Sequence, residues 1–305
     1  MKQPAKEKNS LVEVLRFLFA LWVLYYHDYV PYKGAFFAQG YLAVEFFFVL
    51  SGFFLMKSID QYTAMPLKEG LFGFLKRRFK SILVPFLIGE IFVWIYSFAF
   101  EISYNLFFGY LWYVRDLFLA MTAIFLLRKW IKKDRIFYLV IALASFVAFF
   151  AFFWFPLFAW PSGPFRSAAA IPLGIFAALI PPIKGGKKKQ VGGWWTYAVG
   201  FTVSALGCMA IILLPQKDLL LSYLLVIVGY PCLLYFANGI PCHNRFLNWL
   251  GSLSFPIYAF QCIVRVIEAC GLHNNTLLFC ILMGLVLLYS VISLAWKRKN
   301  RLVHA

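Results

Sequence analysis

Residues 15–30 read LRFLFALWVLYYHDYV. Read with its flanks, the apolar run covers 11–31, about the 20 residues that a helix needs to cross a hydrocarbon core of roughly 30 Å. Inside it stand Arg16 near one end and His27 with Asp28 near the other. A cleaved secretory leader has a short apolar core and a small-residue cleavage site; this run is long, carries those polar residues and has no such site, so it is expected to stay in the mature chain. The 305 residues are 63% hydrophobic and only 13% charged, which excludes an ordinary water-soluble domain. The reading is an all-α, polytopic membrane protein.

Nine more apolar segments follow, at about 41–57, 81–100, 109–127, 136–155, 165–183, 195–214, 219–237, 249–268 and 276–296, making about ten transmembrane helices. The cations test that number, because cytoplasmic loops keep Lys and Arg while short translocated loops largely lack them. Of 29 Lys and Arg, only Lys33 and Lys217 fall in the alternate loops, and Arg16, Arg115, Arg166 and Arg265 fall in segments or at their ends. All the others lie on one side, so both termini are expected to be cytoplasmic. The net charge of +17 is spread over these short clusters rather than gathered on a water-soluble body, so no nucleic-acid partner is expected. The six cysteines show no CxxC spacing and read as small buried hydrophobes, with no metal site. Residues 1–305 read as a single integral-membrane domain. It has a cytoplasmic basic stretch and surface-lying helix at about 58–80, in which Leu67, Leu71, Phe74 and Leu75 share a face, and a flexible basic loop at about 184–193.

Arg16 and His27 are eleven residues apart, three helical turns plus about 20°, so they share a face at an axial separation of roughly 16 Å. Ionisable residues in spans are rare and usually face a polar path or one another. Glu13 continues this stripe and can pair with Arg16 at i,i+3. The plainer alternative is that Arg16 reaches back to cytoplasmic headgroups while His27 sits at the interface among Tyr25, Tyr26 and Tyr29. The second segment, GYLAVEFFFVLSGFFLMK, carries Glu45 near its outer end and Ser51-Gly52 deeper. Glu45 and His27 are expected at similar depth, where a carboxylate beside an imidazole raises its basicity as a general base requires; Asp28 is a competing partner. Ser51 and Gly52 are candidates for substrate binding, and close helix packing accounts for Gly52 equally well.

Arg16-x10-His27, then AVEFFFVLSGFF, the basic KRRFKSILVPF (76–86), YLWYVRDLFLA at the fourth segment and LNWLGSLSFPIYAFQ at the ninth together resemble, in order and spacing, the acyltransferase 3 family of bacterial integral-membrane acyltransferases. The likeness covers most of the chain and implies a ten-helix domain in the bacterial cell membrane. Such a domain moves an acyl group, commonly acetyl from acetyl-CoA, onto a hydroxyl of a cell-surface carbohydrate or its precursor. Arg16, His27, Glu45, Ser51, Gly52, Arg77 and Arg78 occupy motif positions of that family. Two departures stand out: Gln261 where the ninth motif often has histidine, and no glutamate-rich continuation of the fourth.

The resemblance implies that Arg16, Arg77, Arg78 and Lys80 supply countercharge for coenzyme A phosphates on the cytoplasmic side, positions that the cytoplasmic cation bias explains equally well. His27 and Glu45 become the catalytic pair. Trp112, Tyr113, Arg115 and Arg166, with Arg265, Asp116 and Glu268, are candidates for an acceptor vestibule, in which Arg265 and Glu268 also make sense as a structural ion pair. The partners expected are acyl-CoA, a carbohydrate or glycolipid acceptor and the bilayer, with further copies of the chain or glycan-assembly proteins. A polytopic exporter of a surface-glycan precursor or small molecule is the main rival, without the paired repeats many transporters show; a non-catalytic assembly or sensor protein is the third class.

Overall fold

The computed structural model describes residues 9–26, 40, 42–78, 87, 90, 91, 94, 95, 98, 111–154, 162–181, 193–213, 219–269 and 271–303. Among these there is no strand. The helices are α1 (Ser10–Tyr26), α2 (Leu42–Thr63), α3 (Leu67–Arg78), α4 (Leu111–Trp130), α5 (Asp134–Trp154), α6 (Ser162–Leu179), α7 (Gly193–Leu213), α8 (Leu219–Leu224), α9 (Tyr230–Gly239), α10 (Arg245–Ala269) and α11 (Asn275–Val303), with a π-helical turn, Leu225–Gly229, joining α8 to α9. Six described helical stretches are long and apolar enough to cross a membrane: Leu42–Thr63, Asp134–Ala151, Trp194–Ile212, Ser222–Gly239, Arg245–Val264 and Asn275–Ala295. The apolar segment at 81–100 lies largely outside the described residues, as does the basic loop at 184–192.

The described helices form two compact units. One holds α1, α10, α11 and the described positions between 87 and 98; the other holds α2 to α9.

In the first unit, α1 and α10 start side by side. Asn9 Oδ1 accepts from the backbone N–H groups of Leu11 (3.0 Å) and Val12 (3.4 Å), and Asn244 Oδ1 accepts from those of Phe246 (2.9 Å) and Leu247 (3.2 Å), capping donors that a helix start leaves orphaned. The buried Ser10 joins the two caps. Its backbone N–H reaches Cys242 O at 2.8 Å, and its hydroxyl accepts from Asn244 N at 2.7 Å and lies 3.0 Å from Asn248 Oδ1. One turn on, Gly251 leaves room for Glu13, which any β-carbon there would meet. Contacts that advance together along both chains make α1 and α10 parallel. After α10 the chain reverses at Gly271, whose φ of 98° favours glycine. It then returns as α11, where Ser290 Oγ accepts from Trp249 Nε1 at 3.1 Å.

In the second unit α2 is central, with 67% of its span buried, against 17% for α7 and 22% for α5. The outer helices turn large apolar side chains outward, among them Phe146, Val203 and Leu206, as a lipid-facing surface would. α2 and α6 also run parallel: Glu45 meets Arg166 near their N-terminal ends, and further along Gly52 abuts Ile171 O while Gly174 abuts Val49 O and Phe53 N. These two glycines let the backbones approach closely. Gly52→Val would drive a branched side chain into the Ile171 carbonyl and is expected to cost about 1–3 kcal/mol, read as a lowered melting temperature in detergent; an unchanged melting temperature would show that α6 can move aside.

The π-helical turn lies directly before Pro231, which lacks an N–H and whose ring would clash with the Ile227 carbonyl in a regular helix; widening the turn relieves this. α2 runs on to Thr63, past the expected end at 57, because its last turns are held by tertiary partners described below. α3 is the expected short helix, with Phe74 buried in stacking contact with Phe125 (4.9 Å between centroids), while Leu67 and Phe72 are exposed.

Candidate active site

In the first unit, Arg16 Nη1 donates to Glu13 Oε2 at 2.8 Å, the i,i+3 pair that the helix spacing allows. The Glu13 side chain is 5% exposed and that of Arg16 is 26% exposed. The carboxylate therefore holds the guanidinium in place while leaving it accessible, and an arginine has donors left over for an anion. His27 and Asp28 lie outside the described residues, immediately beyond Tyr26 at the end of α1. The main chain of Arg265 is on α10, with its side chain outside the described set.

In the second unit the N-terminal turns of α2, α4 and α6 converge. Arg166 Nε donates to Glu45 Oε1 in a close ion pair whose side chains are 13% and 11% exposed. The Arg166 guanidinium lies over the Trp112 ring, 4.8 Å from its centroid, a favourable placement for a cation on an indole face. Asp116, buried, accepts from Arg115 Nε at 2.8 Å and Nη2 at 3.2 Å. Gly163 stands against Asp116 and Trp112 where a larger residue would collide with both. Tyr113 is buried with its ring 4.8 Å from that of Phe48. This is a fixed polar cluster of two arginines, two carboxylates and an indole at three helix N-termini, whose partial positive charge suits the carboxylates. Glu45, assigned beside His27 from sequence, is thus held by Arg166. Ser51 is half-buried in the middle of α2, and Gly52 serves the α2–α6 packing.

The opposite end of the second unit is basic. Arg78 Nη2 donates to Ser58 Oγ (3.4 Å) and lies over Phe74, and Arg77 Nη1 donates to the Tyr62 hydroxyl (3.3 Å). Burial first, and then the neighbouring Arg77, bring the Arg78 pKa down to about 10, which leaves it cationic at neutral pH. Lys57 donates to Asn238 Oδ1 at 2.7 Å, Arg128 bridges Asp60 (3.1 Å) and Asp134 (2.7 Å), and Lys129 donates to Thr63 O at 2.8 Å. From Glu45 to Ser58 is thirteen residues of helix, roughly 20 Å, so the polar cluster and the basic end occupy opposite ends of α2. Lys80 lies outside the described residues.

Sequence reasoning did not single out Glu90, a carboxylate 4% exposed in the first unit. An isolated carboxylate in an apolar segment is itself a signal, and it could have singled out Glu90. Among the described residues no group of His, Cys, Asp and Glu is arranged to hold a metal ion. Comparison with known families matches residues 9–295 to a model described as an acyltransferase domain, that of acyltransferase 3. No curated protein and no solved structure matches the chain.

Proposed function

The chain belongs to the acyltransferase 3 family, and from that premise we propose that it is an O-acetyltransferase of the bacterial cell membrane, taking acetyl from cytoplasmic acetyl-CoA to a hydroxyl of a cell-surface carbohydrate or its precursor. The observation that carries the reading is the family match over nearly the whole chain, joined to a helical body with an apolar exterior. The parallel pairs α1–α10 and α2–α6 are in keeping with alternating spans, because parallel neighbours require an even number of crossings between their starts; the proposed ten spans with cytoplasmic termini rest on the apolar segments and the distribution of Lys and Arg.

In this reading Arg16, fixed by Glu13, provides planar donors to a coenzyme A phosphate. Arg77, Arg78 and Lys80 add positive potential on the cytoplasmic side, drawing the polyanionic donor toward the membrane. His27, eleven residues further along the chain, accepts the proton of the acceptor hydroxyl as it attacks the thioester carbonyl. The carbonyl carbon gains the new C–O bond and loses the C–S bond, and coenzyme A leaves as the thiol after taking the proton from His27. At the polar end of the second unit Trp112 offers an indole face to a sugar, and Arg115 and Arg166 offer N–H donors to its oxygens. Glu45 holds Arg166 in place.

The test is incubation of purified protein in lipid discs with radiolabelled acetyl-CoA and cell-envelope glycan, together with chemical analysis of ester-linked acetyl on surface glycans of cells with and without the protein. Label in alkali-labile ester and loss of surface acetyl are expected; movement of a glycan precursor without modification would replace this reading by export. Arg16→Ala is expected to weaken coenzyme A binding about tenfold, worth ~1.4 kcal/mol. Unchanged affinity would remove Arg16 from the donor site.

A further inference from the structure

At the polar end of the second unit, Arg115 is held by one edge of its guanidinium and open along the other. Asp116 accepts from Arg115 Nε at 2.8 Å and from one N–H of Nη2 at 3.2 Å. The second edge of the fork, formed by Nη1 and the remaining N–H of Nη2, has no acceptor among the described residues. The Arg115 side chain is 33% exposed and that of Asp116 is 1% exposed. A buried carboxylate thus fixes a part-exposed guanidinium in one orientation. Gly163 lies directly against Asp116 Oδ2 and the Trp112 ring, so α6 comes close enough to seal that carboxylate. Trp112 itself is half-buried, three residues before Arg115 and its neighbour on the helix surface. Its indole N–H also has no acceptor among the described residues.

The groups left to meet a ligand are donors. An indole N–H and a guanidinium can only donate. The acceptors nearby are already engaged, both Asp116 oxygens by Arg115 and Glu45 by Arg166. A sugar hydroxyl donates as well as accepts, whereas a carboxylate or a phosphate only accepts, and its paired oxygens match the free end of a guanidinium fork. The charge balance agrees, since two carboxylates offset two guanidiniums and the partial positive charge of the three helix starts is left over. Nor does the cytoplasmic bias of Lys and Arg account for an arginine here. This is the end of α2 away from the basic cluster, and the loops assigned to that side hold only Lys33 and Lys217.

We infer that the open edge of Arg115 is a subsite for an acidic group of the acceptor, a carboxylate or a phosphate, so that the enzyme selects acidic saccharides. The inference rests on the proposed function and names its substrate class. The subsite is separated from the cytoplasmic basic end by roughly 20 Å of helix, which keeps it distinct from the contacts assigned to the donor's phosphates.

The test uses the purified protein in lipid discs, radiolabelled acetyl-CoA and one envelope glycan preparation in three forms: untreated, with its carboxyl groups reduced to alcohols, and with its phosphate removed. One of the two treatments is expected to raise the acceptor KM about tenfold, the scale of a hydrogen bond to a charged group, with kcat and the acetyl-CoA KM unchanged. Whichever treatment does so identifies the acid. An unchanged acceptor KM after both treatments would overturn the subsite without recourse to any variant. Arg115→Gln combined with Asp116→Asn strands no buried carboxylate, and is expected to show the raised KM on untreated glycan with no further loss on the treated form. An equal loss on both forms would mean that Arg115 meets neutral oxygens, and the acidic group would be withdrawn. Discs with and without phosphatidylglycerol separate the other source of a phosphate. A parental KM that follows this lipid and ignores the glycan treatments would assign the open edge to a headgroup and overturn the inference. Label in no glycan at all would sink the proposed function and this subsite with it, whereas equal transfer to treated and untreated glycan leaves the function standing and removes the subsite alone.

Discussion

His27→Ala is expected to lower acetyl transfer by a factor of about 10² to 10⁴, the usual contribution of a positioned general base, while the helical circular dichroism and the melting temperature stay those of the parent. The reasoning begins with the helix. Arg16 is fixed by Glu13 at 2.8 Å, and the eleven-residue spacing to His27 read from the sequence is one that returns a helix to the same face. A serine or threonine hydroxyl there could not take its place, since neither accepts a proton near neutral pH. His27→Gln, which keeps polarity and approximate size but cannot carry a proton, should be as inactive as alanine. Transfer of radiolabelled acetyl at near-parental rates by either variant would remove His27 from the chemistry and leave positioning alone to account for the rate.

The second large effect concerns stability. The side chains of Glu45 and Arg166 are 11% and 13% exposed and joined to each other, so Glu45→Gln removes a carboxylate charge that opposes a largely buried guanidinium. Removing one member of such a pair costs about 3–5 kcal/mol, most of it for the stranded charge rather than the lost contact. The single variant is therefore expected to show a markedly lower melting temperature, and Arg166→Met in the same protein should restore most of the loss by removing the cation that Glu45 opposed. Acyl transfer distinguishes stability from function: the double variant should fold yet accept its carbohydrate poorly, because the arginine held over Trp112 is gone. A single variant as stable as the parent would mean that Arg166 is satisfied by other groups and that Glu45 is free for another task.

What could be read from the sequence was what is local. Hydrocarbon thickness sets a length scale of about 20 residues, and helices lie at each of the expected segments that the structure describes. The Glu13–Arg16 pair was readable for the same reason, since three residues along a helix fix two side chains on one face. Gly52 was readable only as a pair of alternatives, and its proximity to the Ile171 carbonyl shows why composition could not separate them: a glycine's use is defined by what approaches it.

The sequence by itself determined that this is a helical membrane protein, because transfer of apolar side chains out of water depends on composition and spacing along a single segment. Only the tertiary structure decided which polar groups meet. Arg166 reaches Glu45 across 121 residues, α1 shares its cap with α10, and Gln261, one more polar residue in an apolar motif, turns out to be sealed with no partner beside it. Helix neighbours are chosen by the close fit of side chains and backbones over the whole chain, and no local period records that choice.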